Sequence, residues 1–296
     1  MLTQLQFTSL YREEAMSTGD SKMESYRAAY SKKEGQRCHK SDEVGENSQT
    51  HQLSHHSSPH LYHPLENGCE DNWTWKPEEN CHDVQLTDPE RRTALFHPSW
   101  SNGTAGVRGT KTLNQGRYYW EIHVNNRVFG TSIMFGIGTE KARLHSNNYT
   151  NMLGENRLSW GLSHIGLLWH DGNFRKYTEP FKLCTPTTIG IYFDGINGTL
   201  TYYKDGIDLG VAFSNLEKVT EPLYPIICSS AGKTEMTLGS TRREFNSMQD
   251  RCRAVILKHM IKKEEIDQLE LPRTLKRFIS EGLTQKSQEH MWGKTI

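Results

Sequence analysis

Apolar and polar residues alternate most cleanly in "RYYWEIHV", residues 117–124. Tyr118, Trp120, Ile122 and Val124 fall on one side and Tyr119, Glu121 and His123 on the other, a period of two that predicts a strand with one face in a core. "TTIGIYFDGINGTLTYYKDGIDLGVAF", residues 187–213, reads as three strands joined by two Gly-containing turns. Its connections are too short for crossovers, so neighbouring strands pair antiparallel. Asn-Gly or Asp-Gly pairs at Asn102, Asp171, Asp194, Asn197 and Asp205 supply the positive φ that tight hairpins need. "SIMFGIGT", "LSWGLS", "IGLLWH", "LYPIICSS" and "TEMTLGS" add further short strands. Many short strands without intervening helices predict a mostly β, two-sheet antiparallel sandwich.

The period changes only near the end. In "SMQDRCRAVILKHM", residues 247–260, Ser247 is placed to cap a helix and Asp250 stands three residues on, where an acid favours the positive end of the helix dipole. Met248, Cys252, Val255 and Ile256 then form an apolar stripe. After the polar "KKEEIDQ", the stretch "LELPRTLKRFI" places Pro272 in the first turn of a second helix with Leu275, Phe278 and Ile279 on one side. A helix of this length is marginal alone, so its stripe needs a cover, either the sandwich or another protein.

Residues 1 to about 70 are polar, carry no sustained period and read as a disordered leader, with a histidine tract at His51, His55, His56, His60 and His63 taken as solvated linker. The tail from residue 284 is again polar.

Charge narrows the partners. Thirty-five basic and thirty-five acidic residues cancel, which leaves no global field to hold nucleic acid or an anionic membrane and favours protein partners. The absence of a long apolar run and of a basic, apolar leader predicts a cytoplasmic or nuclear address. The six cysteines lie far apart with no C-x-x-C pair and read as reduced, mostly buried thiols. Sequons at Asn72, Asn102, Asn148 and Asn197 read as turns.

Chemistry is sparse. "FGIG" lacks the third glycine of a nucleotide loop, and Gly136 and Gly138 are better explained by close approach between strands. His123 beside Glu121 and Tyr119 reads as a half-solvated sheet face. Metalloprotease, Walker and nucleophile-elbow motifs do not occur in the sequence. No catalytic residue, metal ligand set or cofactor is assigned.

"GVRGT", "GRYYWEIHV", "FGIGT", "SWGLS", "IGIYFDGINGTLTYYKDGIDLGVAF" and "LYPIICSSA", in this order and followed by the terminal helices, resemble the SPRY domain-containing SOCS-box proteins. The resemblance implies a bent antiparallel β-sandwich of the SPRY type, a concanavalin-like jelly roll, over residues 71–242. A small helical SOCS box follows over 243–283. Its BC-box pattern is met by Ser247, Met248, Cys252 and Ile256, which with Val255 are implied to bind Elongin B/C. The cullin box falls on Leu269, Leu271, Pro272 and Leu275, with Glu270 where a proline is expected; cullin-5 is favoured over cullin-2 as partner, together with its RING subunit. A peptide pocket is implied at one end of the sandwich, at Pro98 and Trp100, Gly130 and Thr131, Tyr149 and Met152, and Ser230, Ala231 and Gly232. By analogy its target is a short, Asn-containing segment. The implied function is a non-catalytic substrate-recognition subunit of a ubiquitin ligase.

Overall fold

A computed structural model of the chain describes residues 64–280, apart from 66–67, 79–81, 115, 246 and 261–263. The histidine tract, Cys38, Cys81 and the polar tail lie outside the described residues. In chain order the strands are β1 (Cys69–Glu70), β2 (Trp75–Lys76), β3 (Val84–Leu86), β4 (Thr93–Phe96), β5 (Thr104–Gly109), β6 (Arg117–Val124), β7 (Ile133–Thr139) and β8 (His145–Ser146). There follow β9 (Ser159–Ser163), β10 (Leu167–His170), β11 (Asn173–Lys176), β12 (Thr187–Asp194), β13 (Thr199–Lys204), β14 (Ile207–Phe213), β15 (Leu223–Ser229) and β16 (Thr234–Arg243). Helix α1 (Met248–Lys258) and the short α2 (Glu264–Asp267) come next. Residues 273–280 are helical.

The strands form two antiparallel sheets, one ordered β14-β13-β12-β6-β16-β4-β3 with β1 beside β16, the other β11-β10-β9-β7-β15-β5-β2 with β8 beside β5. The expected meander is present as β12, β13 and β14. β6 lies between β12 and β16, with Trp120 opposite Ile191 and Thr241. Trp120, Ile122 and Val124 are buried together with Phe135, Ile137 and Trp160 of the other sheet. Across the layers the buried Tyr202 hydroxyl donates to the Phe135 carbonyl at 2.9 Å. A register shift in β16 between Leu238 and Thr241 bends the strand. The Arg92 guanidinium caps the bulge, its Nε donating to the Leu238 carbonyl at 3.2 Å and its NH2 to that of Gly239.

The alternation in β6 holds with one departure. Tyr119, on the polar side, is buried because Tyr203 lies edge-on at 5.8 Å and its hydroxyl donates to Glu121 at 3.0 Å. Cys69 and Glu70, assigned to the leader by their polar surroundings, pair with Arg243 and Arg242 and so belong to the sheet. The thiols also differ from expectation. Cys228 is buried, which pushes its pKa up, but Cys184 and Cys252 are exposed and Cys69 is half-buried. The polar run after α1 contains α2, whose Ile266 is buried. Isolated apolar residues give no periodicity to read.

"FGIG" is the central strand β7, and its glycines are places of close approach. A Cβ on Gly136 would stand 1.9 Å from the Trp160 carbonyl oxygen of β9, and backbone there cannot yield cheaply. Gly136→Ala is therefore expected to destabilise the sandwich by on the order of 2 kcal/mol or more. That is a fall of about 5 °C or more in the melting temperature for a domain of this size, measurable by circular dichroism.

Candidate functional site

Two regions carry the residues singled out in the sequence. The first is the end of the sandwich where β4 leaves towards β5, β6 leaves towards β7, and β15 turns into β16. The backbone of Ser132 and Ser230 closes it, with the Ser230 N–H donating to the Ser132 carbonyl at 2.7 Å. The Ser132 N–H donates to the Ser230 hydroxyl at 2.9 Å. The loop after β4 joins through Ser101, whose hydroxyl donates to the Ser230 carbonyl at 2.7 Å. The loop after β8 joins through the Tyr149 hydroxyl, which donates to the Ser101 carbonyl at 2.6 Å. Arg127 Nε donates to the Gly232 carbonyl at 2.7 Å. Four chain segments far apart in sequence are thus tied into one surface.

Gly130 has φ of 93° and its absent Cβ would lie 3.3 Å from that of Ala231, so the 130–131 and 230–232 turns touch. Pro98, Trp100, Gly130, Thr131, Tyr149, Ser230, Ala231 and Gly232 are all carried on these tied segments. Trp100 is 60% exposed and projects from them. Met152 does not reach the surface: it is 1% exposed and packs with Met134, Leu153 and Cys228, supporting its loop from beneath. Ser230 and Ala231 are also buried, the serine by its pairing with Ser132.

Two buried histidines brace this end. His97 donates from Nε2 to the Ser229 carbonyl at 3.0 Å, and its Nδ1 lies 3.4 Å from the Asp83 carboxylate. The ring of His164 lies against the backbone of Ile133 and Gly130; burial pushes its pKa down to about 4, only partly offset by hydrogen bonds to those two residues. Sequence reasoning missed Ser101, Ser132, His97, Arg127 and His164, because each acts on a segment distant in the chain and no spacing marks it.

A separate cleft of about 370 Å³, lined in part by Thr139, Leu158, Trp160 and His170, opens by the far end of β7 and contains none of the sequence-assigned residues.

The second region is α1. Ser247 caps it, its hydroxyl accepting from the Asp250 N–H at 3.1 Å. Arg253 lies with its guanidinium carbon 4.5 Å from the centre of the Phe278 ring and donates to the Asp250 carboxylate at 2.9 Å. This side of α1 therefore packs on the 273–280 helix, where Ile279 is buried. The other side is open. Met248 is 70% and Val255 54% exposed, and Cys252 lies exposed between them; Ile256 is half-buried at the margin. In the following segment Leu269 and Leu271 are half-buried, Pro272 is exposed, and Leu275 is 47% exposed. Among the described residues no helix is long and apolar enough to cross a membrane.

Comparison with known proteins follows the same division. The SPRY domain family matches residues 117–241 and the SOCS box family residues 246–280. Protein gustavus of Drosophila melanogaster is 30% identical over 221 residues, 70% of this chain and 78% of that protein. The chain belongs to the SPRY domain-containing SOCS-box family. Within this family "FHPSWSNGTAGVRGT" and "CSSAGKTEM" point towards the third member. SPRY domain-containing SOCS box protein 3 of Xenopus tropicalis is 33% identical over 240 residues, 77% of this chain. This SPRY and SOCS-box chain spans 64% of the length of that relative. Among solved structures, the TRIM65 PSpry domain is similar with a TM-score of 0.46 at 18% identity, covering 57% of this chain and 90% of that one.

Because His164 is neutral in the fold but protonates near pH 6.5 once unfolded, its contribution to stability is intact above about pH 6.5. It is lost progressively as the pH falls towards 4. The melting temperature of the wild type is expected to fall over that window, and His164→Asn to show a flatter profile, in thermal melts at pH 7.5, 6, 5 and 4.5.

Proposed function

We propose that this chain is the substrate-recognition subunit of an Elongin B/C–cullin–RING ubiquitin ligase. The loops tied through Ser101, Ser132 and Ser230 hold a short segment of a target protein. α1 and the helices after it recruit the ligase. The target then becomes ubiquitinated and is degraded. The chain acts by raising the effective concentration of target lysines beside a charged ubiquitin-conjugating enzyme, with no bond chemistry of its own.

The observation that supports this reading is the open ridge of Met248, Cys252 and Val255 on a helix whose opposite side is already packed. Burying side chains of this kind contributes about 1.5 to 3 kcal/mol each, so a few suffice to anchor a partner. Ile256 at the margin joins the same contact with Elongin C. Leu269, Leu271, Pro272 and Leu275 serve the cullin, with cullin-5 favoured over cullin-2. At the other end, exposed Trp100 with Pro98, Gly130, Thr131, Tyr149 and Gly232 contacts the target, whose segment we take to contain Asn. Ser230, Ala231 and Met152 shape that surface from within.

Co-expression with Elongin B/C is expected to yield a stable ternary complex that Met248→Asp or Cys252→Arg abolishes; wild-type recovery of either variant would refute the assignment of the ridge. Affinity capture followed by quantitative mass spectrometry tests the other end. Trp100→Ala is expected to lower recovery of clients about tenfold or more, as loss of a central aromatic anchor does, while leaving Elongin recovery unchanged. A chain ending at Arg242 is expected to keep the clients and lose the ligase components.

A further inference from the structure

The two regions are joined by very little chain. β16 stays paired with β6 up to Arg243, which lies opposite Tyr118. The next residue, Glu244, donates its N–H to the Arg117 carbonyl at 2.9 Å. Its carboxylate accepts two hydrogen bonds from Arg117 NH1, each at 3.1 Å. The same guanidinium donates from Nε to Asp194 at 2.9 Å. Asp194 is itself fixed, accepting from the Ile196 and Asn197 N–H groups and from the Asn197 side-chain amide. Arg117 therefore bridges the end of β12 to the last residue before the chain departs for α1.

Neighbouring contacts hold the same corner. Arg243 lies 3.7 Å from Asp71, and its NH1 donates to the Glu244 carbonyl at 3.3 Å. Lys111 donates to Asp71 at 2.7 Å. Only residues 245–247 separate this corner from Met248, the first residue of α1. Such surface pairs contribute little to stability when exposed. The Arg117 side chain is 29% exposed, Asp194 6% and Glu244 43%, so the carboxylate on the departing segment is the exposed member of the set. Its removal leaves the Arg117–Asp194 pair intact.

We propose that Arg117 and Glu244 form a latch that fixes the direction in which α1 leaves the sandwich, and are thus positioning residues for the ligase function. This consequence rests on the ligase reading above; the latch itself does not. With the latch closed, a target on the Trp100 surface and a partner on the Met248 ridge keep one mutual orientation, and a restricted set of lysines is presented for modification.

The test is carried out on the full chain with genetically encoded spin labels at Ile207, which is 68% exposed on β14, and at exposed Arg251 on α1. Pulsed dipolar spectroscopy is expected to give one narrow distance distribution for the wild type. Glu244→Ala should broaden it at least twofold, Glu244→Arg should broaden it further by repulsion from Arg117 and Arg243, and Glu244→Asp should restore it. Melting curves are expected to coincide for all four proteins, which separates loss of direction from loss of fold. Equal widths in the wild type and Glu244→Arg would overturn the latch. Failure of the wild type to recover Elongin B/C would instead refute the ligase reading, and the distance distributions would still decide the latch. Where Elongin recovery is intact, ubiquitin sites mapped on the chain in the reconstituted ligase are expected to spread to additional lysines in Glu244→Arg. An unchanged pattern would refute the orienting role.

Discussion

The structure depends on the antiparallel seating of β6 between β12 and β16. That register turns Trp120, Ile122 and Val124 inward to meet the residues of the second sheet, and a shift by one residue would turn all three outward. It also places Arg117 at one end of the sandwich and Val124 near the other. Directional hydrogen bonding and non-directional apolar burial thus specify the same arrangement, which fixes both ends of the molecule at once.

The division between frame and loops follows from this constraint. Strands such as β7 are buried at every residue and tolerate little change. The segments at the Trp100 end are held by backbone and serine hydrogen bonds, which ask little of the side chains that project from them. A surface built this way can vary in the side chains it presents while its shape is maintained from beneath, as by Met152 and His164.

The sequence was informative wherever a local period or a cap determines the outcome. β6, the β12–β14 meander, the Ser247 cap and the apolar stripe of α1 were all legible, since each is decided by residues that are neighbours along the chain. The pairing of Ser230 with Ser132 and of Ser101 with Ser230 was not, because these join segments about a hundred residues or more apart. Tyr119 was misjudged for a related reason: its burial comes from Tyr203 on another strand. The split of α1 into a packed and an open side was only half legible. A stripe announces that something covers it, but the contact between Arg253 and Phe278 is what assigns the cover to one side.

The brevity of the segment after Glu244 has a geometric meaning. Three extended residues span about 10 Å at most. So short a tether bounds the distance between the Glu244 corner and Met248, so the start of α1 stays close to the end of β16 whatever path the intervening residues take.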